Sequence, residues 1–216
     1  MRLILLAPPG AGKGTQGAFI QKKYHVHQIS TGDILREHII RHTKLGKLAA
    51  KYMDAGELVP DDLILDMLNK EIVKDKYSKG FMLDGFPRNF EQAEELDLIL
   101  DEDGLDISAV LILNVPKREL VSRLSARISC PLCGRTYHLI FHPPIVADKC
   151  DEPCGGILFQ RPDDNREAII NRLKIYETKI TKLVDYYEMQ GLANNIDGVG
   201  GVHDVFQRVQ KVLDTL

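Results

Sequence analysis

Two kinds of pattern alternate along this chain. Short runs with strand character, at 3–6, 27–29, 80–83, 109–113 and 192–196, are separated by stretches in which apolar residues return every three or four positions. Strands that are apolar on both faces and separated by helices predict a parallel sheet with helices flanking it, an α/β fold. The first helical stretch covers 15–23. Two shorter ones, 32–42 and 45–55, crowd between the second and third strands, stop at Gly56 and give way to a restart at Pro60-Asp61. Between 129 and 160 the periodicity vanishes. Four cysteines, a His-Pro-Pro and a Gly-Gly fall there without a helical repeat, so this segment reads as an independently built insert, after which a long helical pattern runs over 163–188. The chain contains no internal repeat and no low-complexity tract.

Composition narrows the picture only a little. The 216 residues carry 28 Lys and Arg against 31 Asp and Glu, a formal net charge of -3, which argues against a protein whose main partner is a long nucleic acid. Any anion it binds must meet a local cluster of cations. No run is apolar for long enough to span a bilayer, and the apolar start at 3–7 passes straight into glycines as no signal peptide does, so a cytoplasmic location is expected.

The first strand ends in Pro9-Gly10-Ala11-Gly12-Lys13-Gly14-Thr15 and feeds a helix. Glycines there let phosphate oxygens approach backbone N–H groups, and the helix N-terminus adds partial positive charge. Lys13 supplies a point charge for the β- and γ-phosphates, while Thr15 or the backbone beside it orients a magnesium ion or a terminal phosphate oxygen. A glycine-rich turn that only packs is the plainer alternative. The Walker pattern G-x-x-x-x-G-K begins with glycine, and this chain has Ala7 in that place. If the position requires positive φ, alanine adds strain of order ~1 kcal/mol.

The cysteines fall as Cys130-x-x-Cys133 and Cys150-x-x-x-Cys154, both pairs with glycine close behind. This spacing reads as a closed structural zinc site, stapling an insert too small for a core of its own. Disulfides, or four free thiols, are the competing readings. The seven histidines share no ligand spacing and read as surface or packing residues.

Four motifs, in order over nearly the whole chain, identify a family. "PPGAGKGT" at 8–15, "STGDILR" at 30–36, "GFMLDGFPRNFEQA" at 80–93 and "QRPDDN" at 160–165 together resemble the adenylate kinases, most closely the bacterial-type long form with a distinct lid. The resemblance implies a P-loop core at 1–29, 60–125 and 164–216, a helical AMP-binding segment at 30–59 and a zinc-bearing lid at 126–163. It implies reversible, magnesium-dependent phosphoryl transfer from ATP to AMP, giving two ADP, in a monomer that serves adenine-nucleotide homeostasis.

Residue by residue, it puts ATP against Gly10, Ala11, Gly12, Lys13, Gly14, Thr15, Arg123, Arg127, Thr136, Tyr137 and Gly200. AMP falls against Thr31, Arg36, Glu57, Leu58, Val59, Gly85, Phe86, Pro87, Arg88, Gln92, Arg161 and Arg172. Lys13, Asp84, Arg88, Arg123, Arg127, Arg161 and Arg172 form the catalytic set.

These assignments make physical sense. Phosphoryl transfer concentrates negative charge, so the site should hold several arginines and very few carboxylates. Any one of the arginines, taken alone, also reads as solvated surface charge. Arg123 and Arg127 lie four apart on an expected helix, where like charges repel unless an anion separates them. Asp84 ends a strand at the sheet's carboxyl edge and is placed to hold magnesium through water, or simply to cap the following turn. The Gln92 amide offers both a donor and an acceptor to adenine. Asp163 and Asp164 match the family's paired carboxylates at the lid's hinge, and equally suit the first turn of a helix. The one departure is the second cysteine pair, where relatives usually have two intervening residues; Asp151 or Glu152 is then an alternative ligand to Cys154. Another nucleoside monophosphate kinase, or a non-enzymatic nucleotide-binding zinc module, are the alternative functions.

Overall fold

A computed structural model of the chain describes residues 1–72, 77 and 79–216. Residues 73–76 and 78, within the expected core range 60–125, lie outside the described residues. Five parallel strands, β1 (Leu3–Leu6), β2 (His27–Ser30), β3 (Phe81–Asp84), β4 (Ala109–Asn114) and β7 (Ala193–Asp197), form one sheet in the order β2-β3-β1-β4-β7. The runs read from sequence are these strands, with ends moved by a residue or two.

The sheet has a core on each face because side chains alternate along each strand. Leu3 and Leu5 of β1, with Met82, Leu111 and Leu113, pack against Ile20, Leu124, Val209 and Leu213. Ile4 and Leu6, with Leu83, Val110 and Ile112, pack against Leu96, Leu100, Leu183 and Tyr187 on the other face. The covering helices are α1 (Lys13–Tyr24), α4 (Asp61–Ile72), α5 (Phe90–Glu102), α6 (Lys117–Ser125), α7 (Arg166–Met189) and α8 (Val202–Leu213). Two more, α2 (Thr31–Ile40) and α3 (Lys44–Asp54), pack on each other between β2 and β3. A side chain at Gly46 would collide with the His38 carbonyl, so glycine there sets how closely the two helices approach. Gly56, at φ 69, ends this excursion as expected.

No helix forms between 126 and 161. A two-stranded antiparallel sheet, β5 (Arg127–Ser129) with β6 (Thr136–His138), is extended by the Ser129–Phe159 and Lys149–Ile157 bridges. Its buried cluster consists of Ile128, Cys130, Tyr137, Cys150 and Leu158, with Cys154 against it.

Two helix expectations need correction. The long helix begins at Arg166, not 163: Pro162–Asp164 form a 3₁₀ turn, and Asn165 caps α7 by accepting the Ala168 N–H at 2.9 Å. Asp163 and Asp164 are therefore not first-turn dipole partners. Arg123 and Arg127 do not share a helix face either. α6 ends at Ser125, and Arg127 opens β5, where it pairs in register with His138.

Candidate functional site

At the carboxyl ends of the strands, beside central β1, a cleft of about 1530 Å³ gathers residues from nearly every motif. This is where open parallel sheets bind ligands, and the volume exceeds the ~300–1,000 Å³ typical of a single small-molecule site.

The floor is the β1–α1 turn. Gly10 and Gly12 have φ of 86 and 97, and a side chain at Gly10 would press within 2.8 Å of Leu124. Helices α2, α3, α5 and α7 are each capped by a side chain, from Ser30, Thr43, Asn89 and Asn165; α1 has no such cap and no acidic residue in its first turn. Its first-turn N–H groups are thus left for an anion. Ala7 does not take a positive φ, so the strain feared for alanine does not arise. Its carbonyl instead accepts the Lys13 ammonium at 2.7 Å.

Burial pulls the Lys13 pKa down to about 8, with Asp84 opposing and Arg88, Arg172 and Arg127 adding to the fall. Burial, then Arg172, likewise lowers Arg88 to about 10, and burial, then Arg36 and Arg127, lowers Arg161 to about 9. Arg172 is lowered by burial despite Asp163 beside it. These groups stay cationic at neutral pH but strain against one another. The cheapest relief is an anion.

The expectation of very few carboxylates fails. Asp33 pairs with Arg36 at 2.5 Å, Glu119 with Arg123 at 3.1 Å and Asp163 with Arg172 at 2.8 Å. Asp164, its side chain fully buried, accepts from both Arg127 and Arg172. Each holds an arginine in place, which four unpaired guanidinium groups cannot do for themselves. Arg161 donates instead to Ser129 Oγ at 2.8 Å, and Arg88 Nε to the Gly85 carbonyl at 2.6 Å. Asp84 accepts from the Gln28 amide at 2.7 Å, and burial raises its carboxyl above the usual range although Lys13 draws it down. A divalent cation beside Asp84 would favour its ionised form.

The remaining expected residues converge with these. Thr31 donates to the Gly85 carbonyl at 3.0 Å, and Leu58, Val59, Phe86, Pro87 and Gln92 line the adjoining wall with Glu57. Gly85 (φ 80) and Gly200 (φ 116) take conformations that side chains avoid, which accounts for glycine at 200. Thr136 Oγ1 lies 3.8 Å from where a Gly14 Cβ would stand, so the insert overhangs the P-loop. Tyr137 is 2% exposed, with its hydroxyl bonded to the Asp151 N–H and its ring in the insert's core; its backbone is what remains for a nucleotide. Asp33, Glu119, Gln28, Asp61 and Asn89 were missed as site residues. Two had a local signal: Asp33, three residues before Arg36, and Glu119, four before Arg123 on α6.

In the insert all four cysteine sulphurs lie within 4.8 Å of one another, with Cys130–Cys154 and Cys133–Cys150 at 3.6 Å. These are not disulfides. Four thiolates bound tetrahedrally at ~2.3 Å would sit ~3.8 Å apart, so the donor set fits zinc. Cys154 takes its place despite the extra residue. Asp151 is committed to the Ile145 N–H and Glu152 to Arg135, so neither is needed as a ligand. Among the described residues no other histidine, cysteine or carboxylate group gathers in this way.

Comparison with known proteins agrees with this geometry. The family model described as adenylate kinase matches residues 5–192. An adenylate kinase of Methanothrix thermoacetophila is 52% identical over 213 residues, covering 99% of this chain and 98% of its own length. One from Syntrophobacter fumaroxidans is 49% identical, covering 99% and 100%, and one from Archaeoglobus fulgidus 44%, covering 100% and 99%. With an uncapped glycine turn, a cation-lined cleft and a four-cysteine insert on a parallel sheet, the chain belongs to the adenylate kinase family of nucleoside monophosphate kinases.

Proposed function

We propose that the chain catalyses reversible transfer of the γ-phosphoryl group of ATP to AMP, with magnesium, giving two ADP, and so balances the adenine nucleotides. The observation that carries this reading is the crowding of Lys13, Arg88, Arg161 and Arg172 in one desolvated place beside an uncapped helix. Residues 1–29, 60–125 and 164–216 serve as core, 30–59 as AMP-binding segment and 126–163 as lid. The protein works as a cytoplasmic monomer, independent of nucleic acid and membrane; among the described residues no helix is long and apolar enough to cross one.

In this scheme the P-loop amides and Lys13 hold the donor's β- and γ-phosphates, with Arg123, Thr136, the Tyr137 backbone and Gly200 around the donor nucleoside. Arg36 and Arg88 hold the AMP phosphate; Thr31, Glu57–Val59, the Gly85–Arg88 turn and Gln92 enclose its nucleoside. An AMP phosphate oxygen attacks the γ-phosphorus as the bond to the β–γ bridging oxygen breaks, and ADP leaves. No general base is required, because the attacking phosphate is already ionised at neutral pH. Arg123, Arg127, Arg161 and Arg172 offset the charge that spreads over the transferring group. Asp84 would hold magnesium through water, and the ion would supply positive charge to the donor's phosphates. Zinc on Cys130, Cys133, Cys150 and Cys154 is structural, since a closed Cys₄ site has no open position for chemistry.

The test is a coupled assay of ADP formation from ATP with AMP, UMP, CMP and GMP as separate acceptors, with and without magnesium. Magnesium-dependent turnover confined to AMP is expected. Preference for another acceptor would keep the fold and move the specificity; no turnover in folded, metal-loaded protein would leave a binding module.

A further inference from the structure

The N-terminus of α5 holds a closed set of side chains around one carboxylate. Asp61, the first residue of α4, accepts the Gln92 side-chain NH₂ on Oδ1 at 2.6 Å and the Asn89 NH₂ on Oδ2 at 2.9 Å. Asn89 is itself fixed, because its Oδ1 caps α5 by accepting the Gln92 N–H at 2.7 Å. Gln92 Oε1 accepts the Arg88 backbone N–H, also at 2.7 Å. Gln92 and Asn89 are only 2% and 3% exposed.

The chemistry of the partners leaves the amide one orientation. A backbone N–H only donates and a carboxylate only accepts, so turning the Gln92 amide over would set donor against donor at Arg88 and acceptor against acceptor at Asp61. Each end still has one bonding position in reserve: a second lone pair on Oε1 and a second hydrogen on Nε2. Adenine presents a bare N1 and a 6-amino group. A 6-oxo purine presents N1–H and an oxygen, the reverse arrangement on the same outline. An amide free to turn over accepts both bases, whereas one held by Asp61 accepts one.

We infer that Asp61 is a positioning residue for acceptor-base choice: it locks the Gln92 amide in the sense that pairs with a 6-aminopurine and rejects a 6-oxopurine. This rests on the proposed use of Gln92 against the acceptor base. Asp61 does not line the cleft, and its effect passes through Gln92 and Asn89.

The experiment compares kcat/KM for AMP and inosine monophosphate, which differ only at this edge, in the wild-type protein, Asp61→Asn, Gln92→Ala and the double variant. Wild-type protein should favour AMP; a ratio near one would defeat the acceptor assignment itself, and this inference with it. Given that preference, Asp61→Asn should reduce the ratio by ~10-fold, about the worth of one buried hydrogen bond. The loss should lie mainly in KM for AMP, with KM for ATP within about twofold and no further change in the Gln92→Ala background. A purely structural role would raise both acceptor KM values together and keep the ratio, which overturns the inference. If Asp61→Asn does not fold, Asp61→Ala, which removes the acceptor without setting a new donor against Asn89, takes its place. The same fall in the ratio is expected, and an unchanged ratio overturns the inference.

Discussion

The P-loop core and the cysteine insert solve the same problem by different means. Core strands β1, β3 and β4 are buried on both faces, and two apolar clusters hold the P-loop, Thr31 and the 84–88 turn in register. The insert has a five-residue cluster that includes two of its own cysteines, and it leaves Leu132, Ile140, Phe141, Ile145 and Ile157 mostly exposed. Hydrophobic burial can fix a site to fractions of an ångström in the first case. In the second there is too little to bury, and order must come from the sulphur cluster. Two stretches of one chain thereby owe their order to different forces.

That division can be broken from either side. The largest effect should come from the core side: Lys13→Met is expected to lower turnover by ~10²-fold or more while zinc content stays whole, since one electrostatic donor to the transferring group is lost. Near-normal steady-state rates would refute the cradle. Cys130→Ser strikes the insert instead. It should release metal, seen by mass spectrometry, and lower the insert's melting by roughly 5–10 °C while the core transition moves little; an unchanged scan and full zinc content would sink the staple. Arg88→Ala should raise KM for AMP by ~10-fold or more and KM for ATP less than twofold, and equal losses would remove it from the acceptor side.

A pH series sharpens the same line. Free Lys13, lowered to about 8, loses its charge as pH rises through that value, whereas bound phosphate favours the charged form. ATP binding should therefore weaken above about pH 8 and take up protons there by calorimetry. A flat KM for ATP between pH 7 and 9 counts against it. The smallest effect belongs to Ala7→Gly. With no positive φ to relieve, glycine should cost about 0.5–1 kcal/mol in chemical denaturation and leave turnover within about twofold.

Sequence pattern carried the sheet well, because an unbroken apolar run such as 3–6 or 109–113 is a local consequence of being buried on two faces. It carried the cations of the cleft through motif spacing. It did not carry the polar pairings made across long stretches of chain. Asp61 with Gln92, Gln28 with Asp84 and Asp164 with Arg127 are separated by 31, 56 and 37 positions, so their pairing exists only once the sheet has formed. Helix ends failed where a cap competed with the apolar repeat. Asn165 starts α7 three residues after the periodicity does, and Ala126 ends α6 before Arg127 could join Arg123. The shifted cysteine spacing looked like a fault in the fourth ligand, but a turn through Pro153 absorbs the extra residue.

The doubly bonded Asp164 has a mechanical meaning. It joins Arg127, where the chain enters the insert, to Arg172 on α7, beyond where it leaves. The two ends of the insert are thereby pinned together at its base, so the loop-closure entropy of the segment between them is already lost in the folded protein. Any motion that keeps both ion pairs would be a rotation about that point, not a slackening of two separate tethers.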